Sequence, residues 1–129
     1  MARSEPGHVE VVALIYEATQ SASSVIAYAE ARSALARAGR PGPWLPRAHR
    51  ELDAIWAEIA RLSVDESTAL EAAALAERHR LRGMDALHLA AALRYAAGSA
   101  PEAVVFVSWD RDQRVAAKAE GLELMPADL

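Results

Sequence analysis

The run VVFVSW (104–109) constrains this chain most. It is short, apolar and rich in β-branched residues, so it predicts a strand of the kind found where both faces of a sheet are covered. DRDQRVAAKAEGL follows at once and reads as a helix closed by Gly121. LELM (122–125) then returns as a last short strand. Short strands alternating with helices predict a parallel α/β sheet.

The rest of the chain fits this alternation. HVEVVALIYEA (8–18) places Val9, Val12, Ala13 and Tyr16 on one helical face. QSASS (20–24) is weakly strand-like, and VIAYAEARSALARAG (25–39) is an alanine-rich helix ending at Gly39, with Pro41 just beyond. RPGPWLP (40–46) is a turn-rich connector whose Pro46 suits the first position of the next helix. There Ala48, Leu52, Ile55, Trp56 and Ile59 form one apolar stripe. ARLSV (60–64) predicts a short strand, and Ser63 with Glu66 a capping box for a helix through about Arg80. LRGMDALHLAAAL (81–93) follows as a buried helix whose only polar side chain after Asp85 is His88.

A chain of 129 residues is most simply one domain, 1–129, and its hydrophobic fraction of 53% argues against disorder. The absence of cysteine excludes disulfide frameworks and thiolate zinc sites and suits a reducing, cytoplasmic home. No apolar run approaches a membrane span, and MARSEPGHVE does not read as a signal peptide. A net charge of −4 argues against a protein that coats duplexes. Charge is segregated, however: Ala31–Arg50 holds five arginines (Arg32, Arg37, Arg40, Arg47 and Arg50) and no acid. That stretch is either a solvated basic face or a phosphate-contacting one.

Three acids stand in unusual places. Glu30 lies inside a helix whose neighbours one turn away are Ile26, Ala27, Ser33 and Ala34, so no base on that helix pairs with it. Asp85 opens an apolar helix just after Gly83. Asp110 ends the strand 104–109, with Asp112 two residues on. For Asp85 and Asp110 the plain alternative is a helix cap. In open α/β sheets, though, ligand sites form outside the carboxyl ends of the strands. Converging carboxylates resist joint ionisation unless a cation holds them. A hard ion such as Mg²⁺ or Mn²⁺ suits oxygen ligands, can bind a phosphate oxygen and can activate water.

No competing machinery is present: no phosphate-cradling glycine loop, no G-x-S-x-G and no H-E-x-x-H. His8, His49, His79 and His88 are too scattered for a zinc site, and His88 reads as a hydrogen-bonded histidine inside the fold. Trp56 reads as core, while Trp44 and Trp109 are open either way.

Together these residues resemble the PIN-domain family, especially the ribonuclease toxins of VapBC-type toxin–antitoxin pairs. SSVIAYAEARSALARA looks like the family helix that carries a metal-binding Glu, here Glu30. LRGMDALHLAAAL looks like the helix R-x-x-D-A-x-H-L-A-A-A, with Asp85 as its Asp. VVFVSWDRDQRVAAKAEGLEL looks like the penultimate strand and its acidic end, with Asp110, Asp112 as an extra ligand and Ser108 as a supporting hydroxyl. The resemblance implies a three-layer α/β/α domain with a short, mostly parallel sheet and about six helices. It also implies a Mg²⁺- or Mn²⁺-dependent endoribonuclease acting on RNA, impaired if the chain is truly shortened, with a small antitoxin as partner. A homodimer is the expected assembly. Glu30, Asp85 and Asp110 are the expected catalytic, metal-holding residues, and Asp112 assists. The rival expectation is a non-catalytic PIN-like module that binds an antitoxin or its own copy.

Family members open with a strand bearing a first catalytic Asp, and MARSEPGHVEVV resembles the segment just after it. The favoured expectation is a start codon assigned too far downstream, the other a genuinely shortened protein. Upstream in-frame codons are expected to encode an apolar strand ending in Asp followed by Ser or Thr. A sheet lacking that central strand should be split, or closed by a rearranged or swapped segment, and the chain marginal or oligomeric.

Overall fold

The computed structural model describes residues 21–39, 42–98 and 104–127. Its contacts divide the chain into two compact units, Met1–Arg61 and Leu62–Leu129. The helix expected at 8–18, like the reading of the chain's opening, lies outside the described residues.

In the N-terminal unit, strand β1 (Ala22–Ser24) leads into helix α1 (Ile26–Ala38). Ser24 is buried and accepts from the Ile26 N–H at 3.2 Å, satisfying one free donor of the helix start. Alanine dominates α1 and favours the helix, which ends at Gly39 with φ 59°, in the left-handed region that glycine adopts freely. Helix α2 (Trp44–Glu58) packs against α1. It begins two residues before the expected Pro46, which sits in the first turn, where its missing N–H costs no helical bond. Of the apolar stripe, Ala48 is buried and Leu52, Ile55, Trp56 and Ile59 are half-buried. Strand β2 (Ala60–Leu62) pairs with β1, and the Ala60 N–H donates to the Ser21 carbonyl at 2.8 Å.

The α1–α2 pair carries a polar cluster. Arg32 donates to the Tyr28 hydroxyl at 2.7 Å and lies 3.3 Å from His49 Nδ1. Tyr28 in turn donates to Asp53, and its ring stands 5.4 Å from that of Trp56.

The C-terminal unit is built on helices α3 (Glu66–His79) and α4 (Gly83–Ala97), the most extensively packed pair. The cap of α3 is Asp65, not the expected Ser63: its carboxylate accepts from both the N–H and the hydroxyl of Thr68 at 2.9 Å. Thr68 is buried, so the Asp65–Thr68 pair displaces the Ser63–Glu66 box. These bonds, the backbone N–H first, hold the Asp65 carboxyl below its ordinary value. Strand β3 (Val105–Val107), helix α5 (Arg111–Ala119) and strand β4 (Glu123–Met125) complete the unit. The two strands run parallel, with Phe106 opposite Leu124.

The core holds Ala72, Leu75, Ala86, Leu89, Ala90, Ala116, Ala117 and Leu122, with Phe106 and Leu124 packed against it. Alanines on three helices let their backbones approach closely around Leu89, a fully buried leucine. The expectation of a strand covered on both faces does not hold for β3. Val105 and Val107 are 41% and 39% exposed because the core lies only on the Phe106 side. Among the described residues the strands form two separate two-stranded sheets.

Candidate active site

Asp85 is not the cap of its helix. Helix α4 starts at Gly83, with Arg82 in the N-cap position and no side-chain cap bond there. Asp85 falls in the first turn, half-buried, where the positive end of the helix favours a carboxylate. Asp85 thus stands inside the helix and not at its N-cap position, on an element anchored by Ala86, Leu89 and Ala90, which are fully buried.

For Asp110 the plain alternative holds. It is the N-cap of α5, and its Oδ1 accepts from the Gln113 N–H at 2.8 Å. Two residues before it, Ser108 is buried at the end of β3. The Ser108 hydroxyl accepts from the Asp110 N–H at 3.1 Å and donates to Gln113 Oε1 at 2.8 Å. Gln113 also donates through Nε2 to the Asp85 carbonyl at 3.1 Å, which joins the first turn of α4 to the β3–α5 corner. Arg114, 8% exposed, donates to the Ser108 carbonyl at 2.9 Å and the Pro126 carbonyl at 2.6 Å. This guanidinium pins the ends of β3 and β4 together through backbone oxygens, which satisfies its buried charge with dipoles.

The remaining sequence candidates are more dispersed. Glu30 is exposed on α1, in the N-terminal unit. Asp112 is exposed in the first turn of α5. Arg82 and Arg111 are exposed beside Asp85 and Asp110, and His88 is half-buried on α4. Among the described residues no group of three or more acids or histidines is gathered to hold a metal ion. What the fold does bring together is Asp85, Ser108 and Asp110, through Gln113.

Gln113 and Arg114 escaped the sequence reading. The signal for Gln113 was the spacing D-x-x-Q at a helix start, a capping-box pattern. Arg114 carries no such signal, because a buried arginine held by carbonyls looks like any surface arginine in sequence.

An acid-bearing α/β domain with short parallel strands, its acids at a strand end and in the first turns of helices, is the class these features define. The family model of the PIN domain matches residues 1–119. Two ribonucleases of Mycobacterium tuberculosis are similar: Ribonuclease VapC45 of strain CDC 1551 / Oshkosh and Ribonuclease VapC49 of strain ATCC 25618 / H37Rv. Each is 40% identical over 111 residues, which covers 83% of this chain and 74% of the relative. No solved structure matches. The chain belongs to the PIN-domain family, among its VapC-like members. Its mostly helical architecture with short parallel strands is that of a PIN-like α/β/α fold.

Proposed function

We propose that this protein is a metal-dependent endoribonuclease of the toxin type, acting on RNA as one PIN-like domain over residues 1–129. The observation that carries the reading is the tie between two acids: Gln113 bonds the Asp110 carboxylate through its N–H and the Asp85 carbonyl through its amide. The names of the two Mycobacterium tuberculosis relatives supply the reaction class. That the family match runs from residue 1 to 119, across both compact units, supports the single-domain reading.

The donor chemistry fits a hard cation. Asp85 stands in the first turn of α4, and Asp110 caps α5 through Oδ1. Both offer carboxylate oxygen, which Mg²⁺ and Mn²⁺ prefer. Glu30, Asp85 and Asp110 are the proposed ligands, with Asp112 assisting. When bound, the ion supplies charge neutralisation and water activation for in-line attack on the phosphodiester. The products are a 5′-phosphate and a 3′-hydroxyl. Arg82 and Arg111, exposed beside the two acids, hold RNA phosphates in register.

A small antitoxin protein as partner follows from the toxin branch. A homodimer is supported by the open row of Val105, Val107 and Trp109 at β3. No described helix is long and apolar enough to cross a membrane, and we place the protein in the cytoplasm, without membrane association.

The second reading, a non-catalytic module that binds an antitoxin or itself, draws on that open row and on the absence of a gathered three-acid group among the described residues. Calorimetric titration with Mn²⁺ separates the two. The nuclease reading predicts saturable binding that Asp85→Asn and Asp110→Asn each weaken. No detectable binding would leave the module reading in its place.

A further inference from the structure

We infer that Gln113 is a positioning residue, whose side chain fixes Asp85 relative to Asp110 by tying the first turn of α4 to the corner between β3 and α5. The inference rests on the nuclease reading of those two acids.

Gln113 is 8% exposed, on a short helix whose neighbouring side chains Asp112 and Val115 face solvent. Burying an amide is unfavourable unless both of its ends are bonded. Here both are. Oε1 accepts from the Ser108 hydroxyl at 2.8 Å, and Nε2 donates to the Asp85 carbonyl at 3.1 Å. The amide can sit only one way round. A carbonyl cannot donate, so the NH₂ group must face Asp85, and the oxygen is left for the Ser108 hydroxyl.

These bonds form a closed loop. The Asp110 N–H donates to Ser108, Ser108 donates to Gln113, and the Gln113 N–H donates back to the Asp110 carboxylate. The loop fixes the Asp110 carboxylate at the end of β3. The Gln113 Nε2 bond joins this loop to α4. The Asp85 carbonyl belongs to the residue whose carboxylate is at issue, so a shift of that peptide moves the carboxylate with it. A helical carbonyl keeps a second lone pair after its helical bond, so it accepts Gln113 without weakening α4.

Other side chains fail here for stated reasons. Methionine fills the space but removes the acceptor of the Ser108 hydroxyl proton and the donor to the Asp85 carbonyl. Asparagine keeps the amide and is one methylene too short to reach both partners.

The test uses the full chain and its Gln113→Met variant. Mn²⁺ affinity is read by calorimetry, and kcat and KM for RNA cleavage are read separately. Leu75→Ala, a core substitution on α3, is the stability control. Support for metal sites from residues behind the ligands commonly changes affinity by about 10-fold or more. Gln113→Met is expected to raise the Kd for Mn²⁺ by about that factor and to lower kcat with KM little changed. Leu75→Ala should lower Tm at least as much and leave the Mn²⁺ Kd alone. Should Gln113→Met fail to fold, Gln113→Asn makes the same comparison with the amide retained. Wild-type Mn²⁺ affinity in the folded Gln113 variant, alongside weakened binding in Asp85→Asn and Asp110→Asn, overturns the inference and leaves the nuclease reading standing. Undiminished Mn²⁺ binding in those two Asp variants removes the nuclease reading itself.

Discussion

The two units bury their helices by different means. In the C-terminal unit, α3, α4 and α5 meet through alanines around Leu89, and Ala86, Leu89, Ala90 and Ala117 are wholly covered. In the N-terminal unit, α1 has no buried residue, α2 has only Ala48, and the pair is joined instead by the Tyr28–Arg32–His49–Asp53 cluster and the Tyr28–Trp56 ring contact. Close packing of apolar surface stabilises strongly, whereas exposed polar clusters contribute little net energy. The difference assigns rigidity to the half that carries Asp85 and Asp110.

The largest expected effect breaks the comparison most cleanly. Leu89→Ala should cost about 2–5 kcal/mol in urea unfolding, because it opens a cavity in a site that alanines cannot refill. Ile55→Ala, at a half-buried position of α2, should cost roughly 1 kcal/mol. Equal costs would mean that the N-terminal unit buries its stripe as fully as the C-terminal unit buries its core.

Next comes pH. Glu120 caps the end of α5, and its Oε2 takes hydrogen bonds from His79 at 2.7 Å and Arg78 at 2.6 Å, both on α3. The His79 bond foremost, then Arg78, holds the Glu120 carboxyl below its ordinary value of 4.5. A carboxyl lowered by folding stabilises fully above its unfolded value, and that stability is lost as pH falls through its folded value. Thermal melts of the wild type should therefore lose Tm below about pH 4.5, and Glu120→Gln should flatten that limb. An unchanged limb would show that the α3–α5 clip does not contribute to acid stability.

The smallest effect belongs to the N-terminal cluster. Arg32 and Asp53 are 4.0 Å apart with side chains 39% and 56% exposed. Arg32→Met should change stability by less than about 1 kcal/mol, a loss that salt screens further. A larger loss in urea unfolding would make this cluster a structural centre and would reverse the ranking of the two units.

Much of this fold was legible because its elements are marked by strong local chemistry. The α1 helix and its Gly39 end, the α2 stripe, the short strands at 22–24 and 60–62, and the β3–α5–β4 run all lie where periodicity and glycine placed them. One error came where two residues competed for one role. Asp65 took the cap expected of Ser63 because buried Thr68 supplies two donors to it. Val105 and Val107 read as covered in sequence, but only the Phe106 face meets the core, and periodicity cannot say how many layers lie on a strand. Within the candidate site, the acids could be named from their odd positions. The Gln113–Asp85 bond could not, since it joins residues 28 apart that only the folded chain brings together.

Cleavage of single-stranded RNA by the purified chain tests the central claim most directly. With Mg²⁺ or Mn²⁺ present, the account predicts fragments bearing 5′-phosphates, suppression by a chelator, and a loss of rate of about 100-fold or more in Asp85→Asn and in Asp110→Asn. Cleavage that persists undiminished in both variants would contradict it.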